Sequence, residues 1–192
     1  MGEVGRTTRA ALAVVAALAV LVGAGCDVLP PAPPGGTAAD CRDIAWGSGT
    51  KAFPRMSTSP ITGVRAGRHH CFDRVVIDLA SSPAGGWNVH YGPVTQPGTG
   101  DPVGVRGGAS IEVIVRAPTH TGGGTPTFTP ADPDELVPVG GYRTLRQAVF
   151  VGTFEGQSTF GLGVRARLPF RVFAIEEAGR ARLVVDVAHR WP

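Results

Sequence analysis

The chain has 192 residues, of which 28 are glycine and 17 proline. That suits one domain with accessory segments, many turns and few long helices. Its formal net charge is +3, with Lys51 the single lysine and arginine supplying the rest of the positive charge. The basic residues are scattered, never gathered into a run, which argues against nucleic acid as a partner.

Arg6 and Arg9 precede an uncharged apolar run from Ala10 to Gly25, which closes in small residues before Cys26. A basic opening, a short apolar stretch and a small-residue exit are the pattern of a secretory signal, here residues 1–25. The run is too short for a comfortable transmembrane helix, which needs about 20 residues. LVGAGC, Leu21 to Cys26, resembles the bacterial lipobox, with Gly23 where Leu is usual. The resemblance implies that Cys26 receives a diacylglyceryl group and becomes the first residue of the mature protein. One acyl chain holds only marginally, at about 0.8 kcal/mol per buried methylene, so stable anchoring takes two or more. The lipid bilayer is therefore an expected partner, and the extracytoplasmic face of the cell membrane the expected location. Residues 26–40 continue with four prolines and a glycine pair, the composition of an extended, solvated tether. The folded domain is expected over residues 41–192.

Cys41 and Cys71 remain once Cys26 is set aside. In an oxidising compartment paired thiols become disulfides. A bridge closing a loop of roughly 30 residues contributes about 3 kcal/mol on the chain-entropy account. The alternative is a metal site using Cys41, Cys71 and the adjacent His69 and His70, but it lacks a CxxC spacing and a second cluster.

Within the domain the hydrophobic period is two. Phe72 to Ala80 alternates, with Val75, Ile77 and Leu79 on one face and Arg74, Val76 and Asp78 on the other. Trp87 to Tyr91 places Trp87, Val89 and Tyr91 on one face, predicted to be the core, and Asn88 and His90 outward. Ala109 to Ala117, Leu145 to Val151, Ser158 to Ala166, Phe170 to Glu176 and Arg182 to Ala188 read as further strands, and a single turn of helix is conceivable over Arg143 to Gln147. Seven or so short strands separated by turns predict an all-β sandwich or barrel. Two long Gly/Pro/Thr-rich segments, 92–108 and 118–141, interrupt the pattern, and loops of that length are often functional or disordered. The second carries Asp132, Asp134 and Glu135, whose spacing fits a solvated loop and no known calcium loop.

DRVVIDLA at Asp73 to Ala80 has a near twin, ARLVVDVA, at Ala181 to Ala188. If the two pair antiparallel with Val76 opposite Val184, then Arg74 faces Asp186 and Asp78 faces Arg182. Opposite charges across a ladder contribute about 0.2–1 kcal/mol each and penalise a slipped register. DRVVIDL (Asp73 to Leu79), WNVHY (Trp87 to Tyr91) and LPFRVFAIEEAGRARLVVDV (Leu168 to Val187) together resemble the AMIN domain, and more closely the AMIN-like domain of lipoproteins from high-GC Gram-positive bacteria. The resemblance covers about Cys41 to Trp191 and implies a β-sandwich of the cell envelope, with peptidoglycan or an envelope protein as partner. AMIN domains proper are associated with peptidoglycan amidases and pilus secretins; the expectation here is a module without a catalytic domain behind it.

Motifs for chemistry are sparse. No HExxH occurs among the five histidines. Gly156 to Phe160 (GQSTF) lacks the last glycine of a nucleophile elbow, and the Gly122–Gly124 run is followed by Thr-Pro, not by a phosphate-binding helix. The expectation is a non-catalytic module without cofactor or metal, anchored through Cys26, that binds or scaffolds at the envelope. Trp46, Trp87, Tyr91, Tyr142 and Trp191 are candidates for flat contacts with sugar rings, although sandwich aromatics usually fill the core. One alternative is a small cell-wall hydrolase, which requires histidines and a carboxylate converging within metal reach. The other is a carrier of a small apolar ligand held in a cavity between the sheets.

Overall fold

The computed structural model describes residues 41–192; the predicted signal, Cys26 and the tether lie outside the described residues. A 3-10 turn at Cys41–Asp43 is followed by strands β1 (Lys51–Phe53), β2 (Ile61–Arg68), β3 (Phe72–Leu79), β4 (Trp87–Tyr91), β5 (Val94–Thr95), β6 (Pro102–Val103), β7 (Ala109–Val115), β8 (Leu145–Phe154), β9 (Gln157–Val164), β10 (Phe170–Glu177) and β11 (Arg180–Ala188). They form an antiparallel five-stranded sheet in the order β1-β4-β7-β9-β8, an antiparallel four-stranded sheet in the order β10-β11-β3-β2, and the small β5-β6 hairpin. The domain is the all-β sandwich predicted by the period-two pattern.

The twin strands are neighbours. β11 pairs antiparallel with β3 with Val184 opposite Val76, Asp186 opposite Arg74 and Arg182 opposite Asp78, the register that the charges predict. Val75, Ile77 and Leu79 of β3 and Leu183, Val185 and Val187 of β11 point into the core, where they meet Val89, Ile111, Val113, Phe160 and Leu162 of the other sheet. Trp87 and Tyr91 pack against this core as half-buried residues. Phe160 and Phe170 are its largest fully buried side chains.

Two hairpins have two-residue turns with positive φ at both positions, Glu155-Gly156 between β8 and β9 and Ala178-Gly179 between β10 and β11. This turn geometry matches the twist of the flanking strands. The gap between the strands expected at Leu145 to Val151 and Ser158 to Ala166 therefore contracts to a two-residue turn, and β8 runs on to Phe154.

Three sequence expectations change. The helical turn at Arg143 to Gln147 does not form: the Thr144 and Leu145 amides donate to Asp73 Oδ2 (2.6 and 3.0 Å), and β8 starts at Leu145. β1 and β2 are strands that the pattern did not reveal. β2 carries Gly63 and Gly67 and an irregularity in register between Ile61 and Gly63, so little of its alternation is legible. The segment 92–108 contains β5 and β6 and is ordered over the outer face of the five-stranded sheet, while 118–141 lies along β8. There Leu136 N donates to Ala148 O and Phe150 N to Pro133 O. The second long loop thus occupies an otherwise open sheet edge.

Candidate binding face

The outer face of the four-stranded sheet carries four arginines, two aspartates and the rings of Phe72 and Phe173. Its side chains follow from the strand registers: Arg171, Asp186, Arg74 and Gly67 form one row, Phe173, Val184, Val76 and Arg65 the next, and Ile175, Arg182, Asp78 and Gly63 a third. Asp186, fully buried, sits between two arginines. Arg74 donates to it through Nε (2.6 Å) and Nη2 (2.9 Å), and Arg171 through Nε (2.8 Å). Such charge-assisted, forked bonds hold both guanidinium planes in fixed orientations. The hydrogen bonds that Arg74 donates to Asp186, reinforced by the carboxylate's charge and opposed by partial burial, raise the Arg74 pKa above the ordinary arginine value.

Aromatic rings stack on these planes. Arg171 lies 4.4 Å from the Trp46 ring centroid and 5.0 Å from that of Phe173. Arg74 lies 5.2 Å from Phe72 and 5.6 Å from Phe173. Trp46 meets Phe72 edge-on at 5.5 Å, and His69 stacks on Phe72 at 4.4 Å. The result is a continuous assembly of Trp46, Arg171, Phe173, Arg74, Phe72 and His69. In the third row Asp78 accepts from Arg65 at 2.9 and 3.1 Å and faces Arg182 at 4.0 Å. The long side chains also cover apolar neighbours: Val76 and Val184 point to this outer face yet are 5% and 1% exposed.

The outer face of the five-stranded sheet is closed by the chain itself. Thr95 donates to Glu112 Oε1 through both its amide and its hydroxyl (2.8 Å each), and Arg106 N donates to Gln147 Oε1 (2.6 Å). A cavity of about 460 Å³ remains beside the hairpin, lined in part by Thr95, Glu112, Ile114, Phe154 and Thr159. His90 and Asn88 do point to this outer face, as expected, but neither is free in solvent. His90 Nε2 lies 3.6 Å from Glu112 Oε2, and His90 Nδ1 and Asn88 Oδ1 are buried without a hydrogen-bond partner.

Cys41 and Cys71 form a disulfide, with an S–S distance of 2.00 Å. The Cys41, Cys71 and His70 ligand atoms lie within 4.8 Å of one another, but sulfurs joined to each other are not the thiolates that metals require. Next to the bridge, Asp73 Oδ1 meets His189 Nε2 at 3.1 Å, while His189 Nδ1 meets the His70 carbonyl at 3.1 Å. With Oδ2 occupied by the two amides of Thr144 and Leu145, this buried carboxylate and imidazole tie three chain segments together.

The model for the AMIN-like domain family matches residues 59–189. The chain belongs to the AMIN-like domain family. Comparison with curated proteins found no match. Family membership associates the domain with the bacterial cell envelope and with peptidoglycan. The AMIN-like region spans β2 to β11 and so contains every residue of the arginine–aromatic assembly except Trp46, which the disulfide-linked segment in front of it supplies. Of the sugar-contact candidates named from sequence, only Trp46 is in the assembly. Tyr142 instead packs on the core beside Arg68, and Trp191 donates to the Arg167 carbonyl. Arg74, Arg171, Phe72 and Phe173 went unrecognised; the alternation of Arg171 with Phe173 on a strand paired to Asp186 was the available clue.

Proposed function

We propose that the protein is an exported lipoprotein, held on the extracytoplasmic face of the cell membrane by acylated Cys26, whose AMIN-like domain binds peptidoglycan without catalysing a reaction. The tether of residues 26–40 gives the domain reach from the bilayer. The observation that carries the reading is the arginine–aromatic assembly on the uncovered sheet. Aromatic faces suit sugar rings, and four arginines (Arg65, Arg74, Arg171, Arg182) against two aspartates (Asp78, Asp186) suit the carboxylates of glycan lactyl groups and stem peptides. A non-catalytic role accords with the way the buried carboxylates are spent: Asp73, Glu112 and Asp186 each hold protein groups.

The test is co-sedimentation of the full chain with purified peptidoglycan. Replacing Trp46 and Phe173 by alanine together should lower the affinity for peptidoglycan about thirtyfold, since each stacked aromatic contributes about 1 kcal/mol. Retention of wild type should also fall with salt, as charged surface contacts do. If the double variant sediments like wild type, this face is not the wall-binding surface. If neither sediments, an envelope protein takes the place of peptidoglycan as partner.

A further inference from the structure

The four lateral edges of the two sheets differ. β1 is only three residues long, β8 is bonded by the loop 133–136, and β2 is broken by its register irregularity. Short, covered or bulged edges are the usual protections against strand-to-strand association. Among the described residues β10 has none of these beyond Phe170, whose amide is bonded to Gly47. It runs eight residues in unbroken register with β11, and among the described residues its other side faces no strand.

The direction of its backbone groups is fixed by two bonds. Phe170 N donates outward to Gly47 O, and Pro169 O accepts from Ala188 of the adjacent strand. Since peptide groups alternate along a strand, Arg171, Phe173, Ile175 and Glu177 direct their N–H and C=O groups towards β11. Val172, Ala174 and Glu176 direct theirs outward. The two-residue turn at Ala178-Gly179, which closes on the Glu177–Arg180 pair, gives the same phase.

The outward set is symmetric about Ala174. We infer that β10 is a self-complementary edge, on which a second copy of this chain adds antiparallel across a two-fold axis at Ala174. In that register Ala174 exchanges both hydrogen bonds with its symmetry mate, and Val172 and Glu176 exchange theirs with Glu176 and Val172 of the other copy. All three outward residues are used, and Phe170, already bonded to Gly47, is left out. A shift of the axis to Phe173 would require the Phe170 amide. A shift to Ile175 would require Ala178, whose φ of 50° takes it out of the strand.

The same register matches the side chains. On the outer face Arg171 stands opposite Glu177 of the second copy, twice by symmetry, and Phe173 opposite Ile175, also twice. Glu177 is available for this: its side chain is 72% exposed and meets Arg182 only loosely, at 3.8 Å. On the inner face Glu176 already accepts from Ala84 N (3.0 Å), so its carboxylate is engaged before it meets Val172 of the second copy. A C2 contact of this kind is closed and cannot propagate into a fibre. The two four-stranded sheets would join into one of eight, making the two arginine–aromatic faces continuous. This pairing stands independently of what the face binds.

The experiment is analytical ultracentrifugation of the full chain in mild detergent across a concentration series, with three variants. Wild type is expected to dimerise in the micromolar range. Glu177→Arg sets arginine against arginine at both ends and should raise the dissociation constant at least tenfold, with a wild-type circular dichroism spectrum showing that the fold is intact. A mixture of Phe173→Cys and Ile175→Cys should form a disulfide between residue 173 of one copy and 175 of the other, identified by mass spectrometry. A wild-type chain that stays monomeric at several hundred micromolar overturns the proposal. So does a dimer indifferent to Glu177→Arg, or one whose cysteine cross-links report another register.

Discussion

The two sheets finish their outer faces in opposite ways. On the five-stranded sheet the chain returns over itself, and the contact needs a strand without side chains beneath it: a Cβ on Gly163 would stand 1.8 Å from the Arg106 carbonyl oxygen, and one on Gly161 would stand 2.8–3.0 Å from Val149 and Val94. On the four-stranded sheet only the Trp46 segment reaches the face among the described residues, and long side chains cover the strands instead. Glycine there serves no packing purpose: a Cβ on Gly67 would find only the tip of His69, at 3.8 Å. A face finished by backbone is committed to the fold; a face finished by arginine and aromatic side chains keeps its polar edges for another molecule.

The strongest way to break this comparison is a matched pair of substitutions. Gly163→Ala drives a methyl into backbone that has no rotamer with which to yield, and should cost about 3 kcal/mol, the upper end for overpacking. Gly67→Ala should stay within about 0.5 kcal/mol, as surface changes do. Denaturant unfolding of both variants decides it, and equal losses would mean that the open face is as tightly built as the covered one. Removing the disulfide by Cys41→Ser with Cys71→Ser comes next. With a sequence separation of 30, its loss should cost about 3 kcal/mol. The bridge also holds the segment carrying Trp46 against Arg171, so peptidoglycan retention should fall in this variant under conditions where circular dichroism still reports an intact sandwich. Retention equal to wild type would remove Trp46 from the binding face.

Asp186→Ala probes the open face from below. It leaves Arg74 and Arg171 beside a site that is buried at Asp186. Breaking a buried pair costs about 3–5 kcal/mol when the remaining charge is trapped. Here both guanidiniums reach water, with side chains 23% and 40% exposed, so about 2 kcal/mol is expected. Asp186→Asn keeps the shape and some of the hydrogen bonding and should lose less. If both variants unfold like wild type, Asp186 does not organise the arginines.

The different legibility of the two faces has the same origin. The β3–β11 register was readable because it is written locally in each twin as Arg, apolar, Val, apolar, Asp, and two such strings admit one charge-matched antiparallel pairing. The expected disulfide and the inward face of Trp87, Val89 and Tyr91 followed from equally short signals. The arginine–aromatic assembly draws Trp46, Phe72, Arg74, Arg171 and Phe173 from three separated segments, so no window contains it. The covered face was hidden for another reason. A glycine at a strand position ordinarily weakens a strand prediction, whereas Gly161 and Gly163 record the close approach of 92–108. β2 escaped for want of side chains, since only Val64 and Ala66 in its second half face the core.

Tyr91 sits at the seam between the two sheets and gives the smallest effect, with a pH signature. Its hydroxyl donates to the Leu168 carbonyl and accepts from the Leu168 amide, both at 2.8 Å, at the point where the chain leaves β9 to start β10. Burial raises its pKa above the usual value, outweighing the opposing effects of the Leu168 backbone bond and the Arg167 charge. A phenol with a raised folded pKa contributes its full stability below the unfolded value of about 10. That contribution drains away as pH climbs through the interval between the unfolded and folded values, because the unfolded chain loses its proton first. Tyr91→Phe should therefore cost about 1 kcal/mol at neutral pH, by leaving the Leu168 groups without their partner. The gap between wild type and variant should narrow above about pH 10, where the phenol of the unfolded chain ionises. Tyr142 is common to both proteins and cancels in the difference. Unfolding midpoints measured from pH 7 to 11 should converge; a constant gap across that range would mean that the hydroxyl at the seam is as well solvated as one on the surface.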